Sequence, residues 1–289
     1  MSGRLDVRKT HKLFIGGAFP RSESGRAYPA LDSEGNVVAR IAQASRKDLR
    51  DAVQAARTAQ EAWAERAAYN RGQILYRIAE MVEDRRDSFV ARLAVDGEGE
   101  QTAGREVDAA IDRLVWYAGW CDKLAQTIGN LNPVAGPFFN ISSPEPTGVV
   151  GLVCPERPAL LGLVSRLAPI LVPGNTAVVV ASEAWPLAAV TLAEALATAD
   201  VPPGVVNVLT ARKAELLPFL AGHMDVNALD LWDVDDATAR ELEIAAAENV
   251  KRLHRGPAGL DWTDDASAQS PWAIARFIET KTVWHPKGL

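Results

Sequence analysis

Residues that make chemistry easy to recognise are scarce in this chain. Only two cysteines, Cys121 and Cys154, occur among 289 residues, with no CxxC pair and only four histidines, so neither a disulfide framework nor a zinc site is supported. Positive charge is not in excess: 31 Lys and Arg stand against 37 Asp and Glu, a net charge of −6. That balance disfavours nucleic acid and anionic membrane as partners, because clustered cations hold both through their phosphates. No apolar run approaches the ~18 residues of a membrane span, and the opening MSGRLDVRKTHKLF lacks the apolar core of a secretory leader. A cytoplasmic chain is therefore expected. What is present is apolar material, 48% of residues, enough for a sizeable core in one large or two smaller domains of about 100–200 residues each.

Residues 13–45 mix short apolar runs with Gly-Gly, Ser-Gly and Glu-Gly-Asn turns, which predicts two or three small antiparallel strands. Ser45 then precedes Leu49, Ala52, Val53, Ala56 and Trp63 at helical spacing, with Asp48 placed near the cap, so a helix is expected over about 46–66. Two more follow by the same pattern. One covers about 70–96 with Ile74, Ile78, Met81, Val82, Phe89 and Leu93, the other about 98–126 with Val107, Ile111, Leu114, Val115 and Trp116. Helix packing accounts for these stripes without a cofactor.

From Thr147 the texture becomes repetitive. GVVGLVC, TAVVVA, GVVNVLT and VNALDLW read as strands, separated by helical stretches at 159–171, 186–199 and 211–221. Their Val/Leu runs lack the alternation of a half-wet sheet, which indicates parallel strands covered on both faces. Right-handed crossovers then leave an α/β fold with a doubly wound, open parallel sheet. Residues 255–276 are rich in Gly, Pro, Asp and Ser and read as a loop or linker. The terminal stretch 277–289 favours a strand, which needs a sheet edge in its own chain or in another subunit.

Individual residues offer little catalytic promise. Cys154 follows a buried strand, where a thiolate could attack a carbonyl carbon, yet unpaired cysteine is most often a buried structural thiol, and Cys121 on a Trp-bearing helix reads the same way. GEGEQTAGRE does not follow a buried strand and so fails the context of a phosphate loop. His11, His223, His254 and His285 form no recognisable triad.

Several phrases, in order along most of the chain, resemble the coenzyme-binding and oligomerisation parts of the aldehyde dehydrogenase superfamily. They are KLFIGGAF, AAIDRLVWYAGWCDKL, GPFFN, EPTGVVGLV, LAPILVPGNTAVVVASEAWPLAAVTLAEAL, VPPGVVNVLT and ETKTVW. The KTVWHP ending and the length look most like the noncatalytic second module of two-module aldehyde dehydrogenases. The resemblance implies a Rossmann-like coenzyme-binding domain over 1–254, including an oligomerisation hairpin at about 132–148, then the linker and a C-terminal oligomerisation strand. It also implies that the catalytic domain is absent, since the path from Val234 to Phe277 is too short to hold it, and no residue matches the family's nucleophilic cysteine or its glutamates.

Where the family's motifs can be aligned, they depart from the pattern. In Pro155, Glu156, Arg157, Pro158 and Ala159, Arg157 takes the place of the asparagine that holds the family's oxyanion, and partnership with Glu156 or a surface carboxylate is expected of it instead. The family's Lys-Pro-Ser-Glu run, which holds the adenosine ribose, corresponds to Val180, Ala181, Ser182 and Glu183. Ser182 and Glu183 are vestigial there, and Val180 replaces the charged donor. In place of the Gly-Ser turn that binds pyrophosphate stands LWDVDDATAREL, where Asp233, Asp235 and Asp236 put carboxylates in the phosphates' place or else cap a helix. Unit charges ~4 Å apart at an effective dielectric constant near 20 repel by about 4 kcal/mol. No cofactor and no metal are expected.

The pieces that survive are those the family uses to associate. Phe138, Phe139, Ile141, Phe277, Thr282, Val283 and Trp284 are the expected interface residues, with packing inside the monomer as the alternative. The expected function is that of a catalytically inactive structural or regulatory subunit, in a homo-oligomer or with a full-length aldehyde dehydrogenase. The alternatives are an NAD(P)-dependent aldehyde oxidoreductase with residual activity through Cys154, and a small-molecule sensor using the old cofactor crevice.

Overall fold

A computed structural model of the protein describes residues 8–288; the leader-free reading of the first residues, and Leu289 at the end of the expected strand, fall in part outside them. The chain opens with β1 (Thr10–His11), β2 (Ala27–Leu31) and β3 (Val37–Ala42), a small sheet in the order β1-β3-β2. Only β2 runs antiparallel to β3. The β1 strand is parallel to it, a departure from the all-antiparallel expectation that the long β1–β3 connection permits.

Helix α1 (Arg46–Glu65) starts on a reciprocal cap, in which Ser45 Oγ accepts from the Asp48 N–H at 3.3 Å and Asp48 Oδ2 accepts from the Ser45 N–H at 2.8 Å. The second expected helix is in fact two, α2 (Ala68–Asp84) and α3 (Arg86–Leu93), with the bend at Arg85 letting Phe89 and Leu93 share a core with Ile78 and Val82. The third also splits. Helix α4 (Glu100–Ala118) ends at Gly119, and α5 (Leu124–Ile128) follows after a turn.

Next come β4 (Asn130–Asn132), β5 (Phe138–Pro146), β6 (Val149–Val153), α6 (Leu161–Leu171), β7 (Thr176–Val180), α7 (Leu187–Leu196), β8 (Val206–Leu209), α8 (Lys213–Ala221), β9 (Ala228–Leu231), α9 (Asp236–Ala247) and β10 (Arg252–Arg255). Strands β6 to β10 form a five-stranded, all-parallel sheet in the order β10-β9-β6-β7-β8. Its two faces are read off β6. Val149 and Val153 join the core under α1, α8 and α9, and Val150 and Leu152 join the larger core built by α2, α3, α4, α6 and α7. The chain leaves β6 outward to β7 and β8, then returns to β9 and β10 on the other side, which places the topological switch point between β6 and β9. The fifth strand, β10, was not expected, because Arg-Leu-His-Arg at a sheet edge carries no apolar run.

The segment expected as a linker is a folded strap. It contains α10 (Asp265–Ala268) and α11 (Pro271–Ala275), and Trp262, Ile274 and Phe277 sit in the main core. Its tether is Arg113 of α4, a buried cation that donates to Ser165 Oγ (2.6 Å), the Ala268 and Trp262 carbonyls (3.0 Å each) and Asp265 Oδ1 (3.1 Å). The final strand, β11 (Ile278–Pro286), finds its edge in its own chain. It pairs antiparallel with β5 along its whole length, from Ile278 opposite Pro146 to Pro286 opposite Phe138, completing a ribbon in the order β11-β5-β4.

Arg113→Met removes the three Arg113 hydrogen bonds to the strap while keeping much of the side-chain volume. It should lower stability by about 3 kcal/mol, the order expected for leaving two buried carbonyls unmet. Hydrogen exchange over residues 261–270 should rise more than elsewhere.

Candidate functional site: the crevice at the strand ends

In an open parallel sheet the ligand site lies outside the carboxyl ends of the strands at the switch point. Here four segments converge on that place: Cys154–Arg157 after β6, Ala181–Trp185 after β7, Thr210–Arg212 after β8, and Trp232–Asp233 after β9. Each brings a charged or aromatic side chain, and these side chains meet one another.

Across the switch point itself, the Glu156 N–H donates to Asp233 Oδ2 at 2.7 Å. Trp232 is turned inward and buried, its ring centroid 4.7 Å from that of Trp262 in the strap, and its Nε1 donates to Asp230 Oδ1 at 2.9 Å. Gly256 follows from this packing, since a Cβ there would lie 2.2 Å from the Trp232 ring. Asp230 is wholly buried on β9 and also accepts from Arg166 Nε at 2.8 Å and His254 Nδ1 at 2.6 Å. Burial alone would raise its carboxyl. The Arg166 guanidinium and His254 outweigh that and hold it below the usual carboxylate range.

On the other side of β6, Glu156 is the centre. Its carboxylate accepts from Ser182 Oγ at 2.6 Å, from the Ala184 N–H at 3.0 Å and from the Glu183 N–H at 3.3 Å, and it is ion-paired with Lys213. Desolvation raises its carboxyl, but the Lys213 ammonium and the Ser182 and Ala184 donors prevail and lower it overall. Glu183 is paired with Arg212 at 2.9 Å and accepts from the Lys213 N–H at 2.7 Å, which caps the start of α8. Val180 is buried in β7 and has no polar role.

The remaining candidates also have places. Arg157 stacks its guanidinium 4.2 Å over the Trp185 ring, and Lys213 is ion-paired with Glu156. Asp235 caps α9 through the Ala237 and Thr238 N–H groups at 3.0 and 2.9 Å, and Asp236 pairs with Arg255. Cys154 and Cys121 are buried, and burial pushes both thiols up, that of Cys121 to about 12. Among the described residues no group of three or more His, Cys, Asp and Glu side chains could hold a metal ion, and no helix is long and apolar enough to cross a membrane.

The expected interface residues divide. Phe277 is only 1% exposed and belongs to the monomer's core, a correction with a simple cause: it precedes β11 where the strap dives under α6. Ile141, Phe139 and Val283 are exposed on one face of the ribbon, in register with exposed Leu131. Phe138 and Trp284 lie on the opposite face with ring centroids 5.8 Å apart, and Thr282 shares a 2.9 Å hydrogen bond with Ser142. Sequence reasoning missed Lys213, Arg166 and Asp230. A signal existed for two of them, since Arg166 interrupts an apolar helix and Asp230 an apolar strand.

Comparison with known proteins gives consistent results. The model of the aldehyde dehydrogenase family matches residues 21–259. Cytosolic aldehyde dehydrogenase 1 of Elephantulus edwardii is 32% identical over 249 residues, covering 84% of this chain and 49% of that protein. Cytosolic 10-formyltetrahydrofolate dehydrogenase of Pongo abelii is 31% identical, covering 86% of this chain and 28% of that protein. Among solved structures, the NAD+ complex of aldehyde dehydrogenase from Bacillus cereus superposes with a TM-score of 0.81 at 27% identity, over 85% of this chain and 50% of that one. The chain thus spans about half or less of the length of these relatives.

The two thiols provide a direct check on the packing. Because both are buried and protonated at neutral pH, native protein should show no fast reaction with a disulfide reagent at pH 8, and both thiols should react after denaturation. Fast stoichiometric labelling of Cys154 in the native state would contradict the geometry.

Proposed function

This chain belongs to the aldehyde dehydrogenase family, and on that premise we propose that it is a noncatalytic member: a structural or regulatory subunit that assembles with itself or with a full-length aldehyde dehydrogenase. One observation carries the proposal. The polar donors at the strand ends, where a ligand of an open parallel sheet would sit, are engaged by the chain's own carboxylates. A dinucleotide would have to displace Glu156 from Ser182 and Ala184, break the Glu156–Asp233 contact and expel Trp232 from its seat on Gly256. The residues present do not fit that cofactor. Cys154 offers no substitute, being a buried thiol whose burial disfavours the thiolate.

Assembly is supported by the ribbon. Leu131, Ile141, Val283 and Phe139 form an exposed apolar patch on one face, and β11 is an edge strand with one side unpaired in the sheet order. Such an edge and face suit strand addition and sheet packing. Two contacts attach the ribbon to the rest of the chain: Arg252 of β10 makes a two-pronged pair with Glu279 at 2.5 and 2.7 Å, and buried Asn175 donates to the Phe277 carbonyl at 2.8 Å. Sequence resemblance to the noncatalytic module of two-module aldehyde dehydrogenases points the same way.

Light scattering of the purified chain tests this. A dimer or larger species is expected, and the double variant Ile141→Lys, Val283→Glu should shift it to monomer with little loss of stability, because both side chains are exposed in the monomer and the two opposite charges face each other across β5 and β11. A strictly monomeric wild-type chain that also fails to co-purify with an aldehyde dehydrogenase would overturn the proposal.

A further inference from the structure

The β7 side of the crevice is built as an anion site whose anion is part of the chain. Two consecutive N–H groups, those of Glu183 and Ala184, point with Ser182 Oγ and the Lys213 ammonium at one carboxylate, that of Glu156. Adjacent backbone N–H groups combined with a hydroxyl and an ammonium are the donors that oxyanions take in proteins.

The donors are fixed more firmly than the acceptor. Ser182 Oγ also accepts from the Trp185 N–H at 2.9 Å, which holds the loop in place. Lys213 has only 13% of its side chain exposed, donates to the Cys154 carbonyl at 2.9 Å, and has its own N–H tied to Glu183. Glu156 differs. Its backbone is pinned by Asp233, but 31% of its side chain is exposed, so the carboxylate has water on one side while the four donors face one point.

We propose that this is an oxyanion site gated by Glu156, which takes a small phosphate, inorganic or the phosphate of a short monoester, when the glutamate swings out. The ligand is small because the four donors converge on one point, beside which the Glu156 N–H bond to Asp233 bridges the strand ends. The charges suit it: removing the Glu156 carboxylate from contact leaves Lys213 uncompensated there, while Glu183 stays engaged with Arg212. Glu156 thus acts as a built-in competitor. A gate open about 1% of the time weakens apparent affinity about 100-fold, which keeps the site closed at low phosphate. The proposal rests on the noncatalytic reading only in taking the crevice as closed to a dinucleotide, and it adds a ligand-responsive element to a subunit that assembles through its ribbon.

Calorimetric titration with inorganic phosphate and with glycerol 3-phosphate, at constant ionic strength set with chloride, tests it on the full chain. Glu156→Gln should bind at least one of the two tenfold or more tighter than wild type, and Glu156→Gln, Lys213→Met should lose that gain. If either variant does not retain its native circular dichroism, the wild-type chain is decisive by NMR: phosphate, but not chloride, should shift the Ser182, Glu183 and Ala184 amides. Equal weak binding by wild type and Glu156→Gln, or identical amide shifts with chloride and phosphate, would overturn the gated site. Light scattering of Glu156→Gln separates the two proposals, since the ribbon lies outside the oxyanion site and oligomeric state should not change.

Discussion

The wholly buried carboxylate of Asp230 sets the terms for the crevice around it. An ionised group taken out of water costs several kcal/mol unless it is paired and hydrogen-bonded. Asp230 meets that requirement by drawing in Arg166 from α6, His254 from β10 and the indole N–H of Trp232 from the turn after its own strand. Each partner has a consequence. Trp232 must fold inward, Gly256 must lack a side chain to admit it, and Trp262 of the strap packs on its face. A single buried charge thus links the sheet, the covering helix and the C-terminal strap.

The same physics governs the β7 side with a different outcome. Free N–H groups at strand and helix ends attract anions, and here Glu156, Glu183, Asp233 and Asp235 supply them from within the chain. Outward, the arrangement is reversed. The ribbon leaves apolar side chains exposed on a sheet joined to the core through Arg252–Glu279 and Asn175. The chain's own carboxylates engage the donors at the strand ends, while apolar side chains stand exposed on the ribbon.

Much of the fold was legible because the parallel strands are buried on both faces and so read as continuous Val/Leu runs. The four runs became β6, β7, β8 and β9 with the expected intervening helices. Strand β10 was not legible, since an edge strand of Arg, Leu, His and Arg has no such run. The splits at Arg85 and Gly119 escaped notice because an apolar stripe continues in sequence across a bend that only tertiary packing reveals. The strap was hidden by its composition: Gly, Pro and Asp suggested loop, while its attachment depends on a few widely spaced anchors and on Arg113. At the crevice, Asp235 was legible as a helix cap from its position, and Ser182 and Glu183 from the resemblance. Lys213 was not, because its pairing with Glu156 joins residues 57 positions apart through the ends of two strands, a proximity that no local pattern encodes.

Exclusion of a dinucleotide is the property of the crevice on which a noncatalytic role depends most directly. Calorimetric titration of the wild-type chain with NAD, at concentrations up to the millimolar range, should give no saturable heat, because Glu156, Asp233 and Trp232 already hold the space and the donors. Saturable binding at micromolar NAD would contradict it.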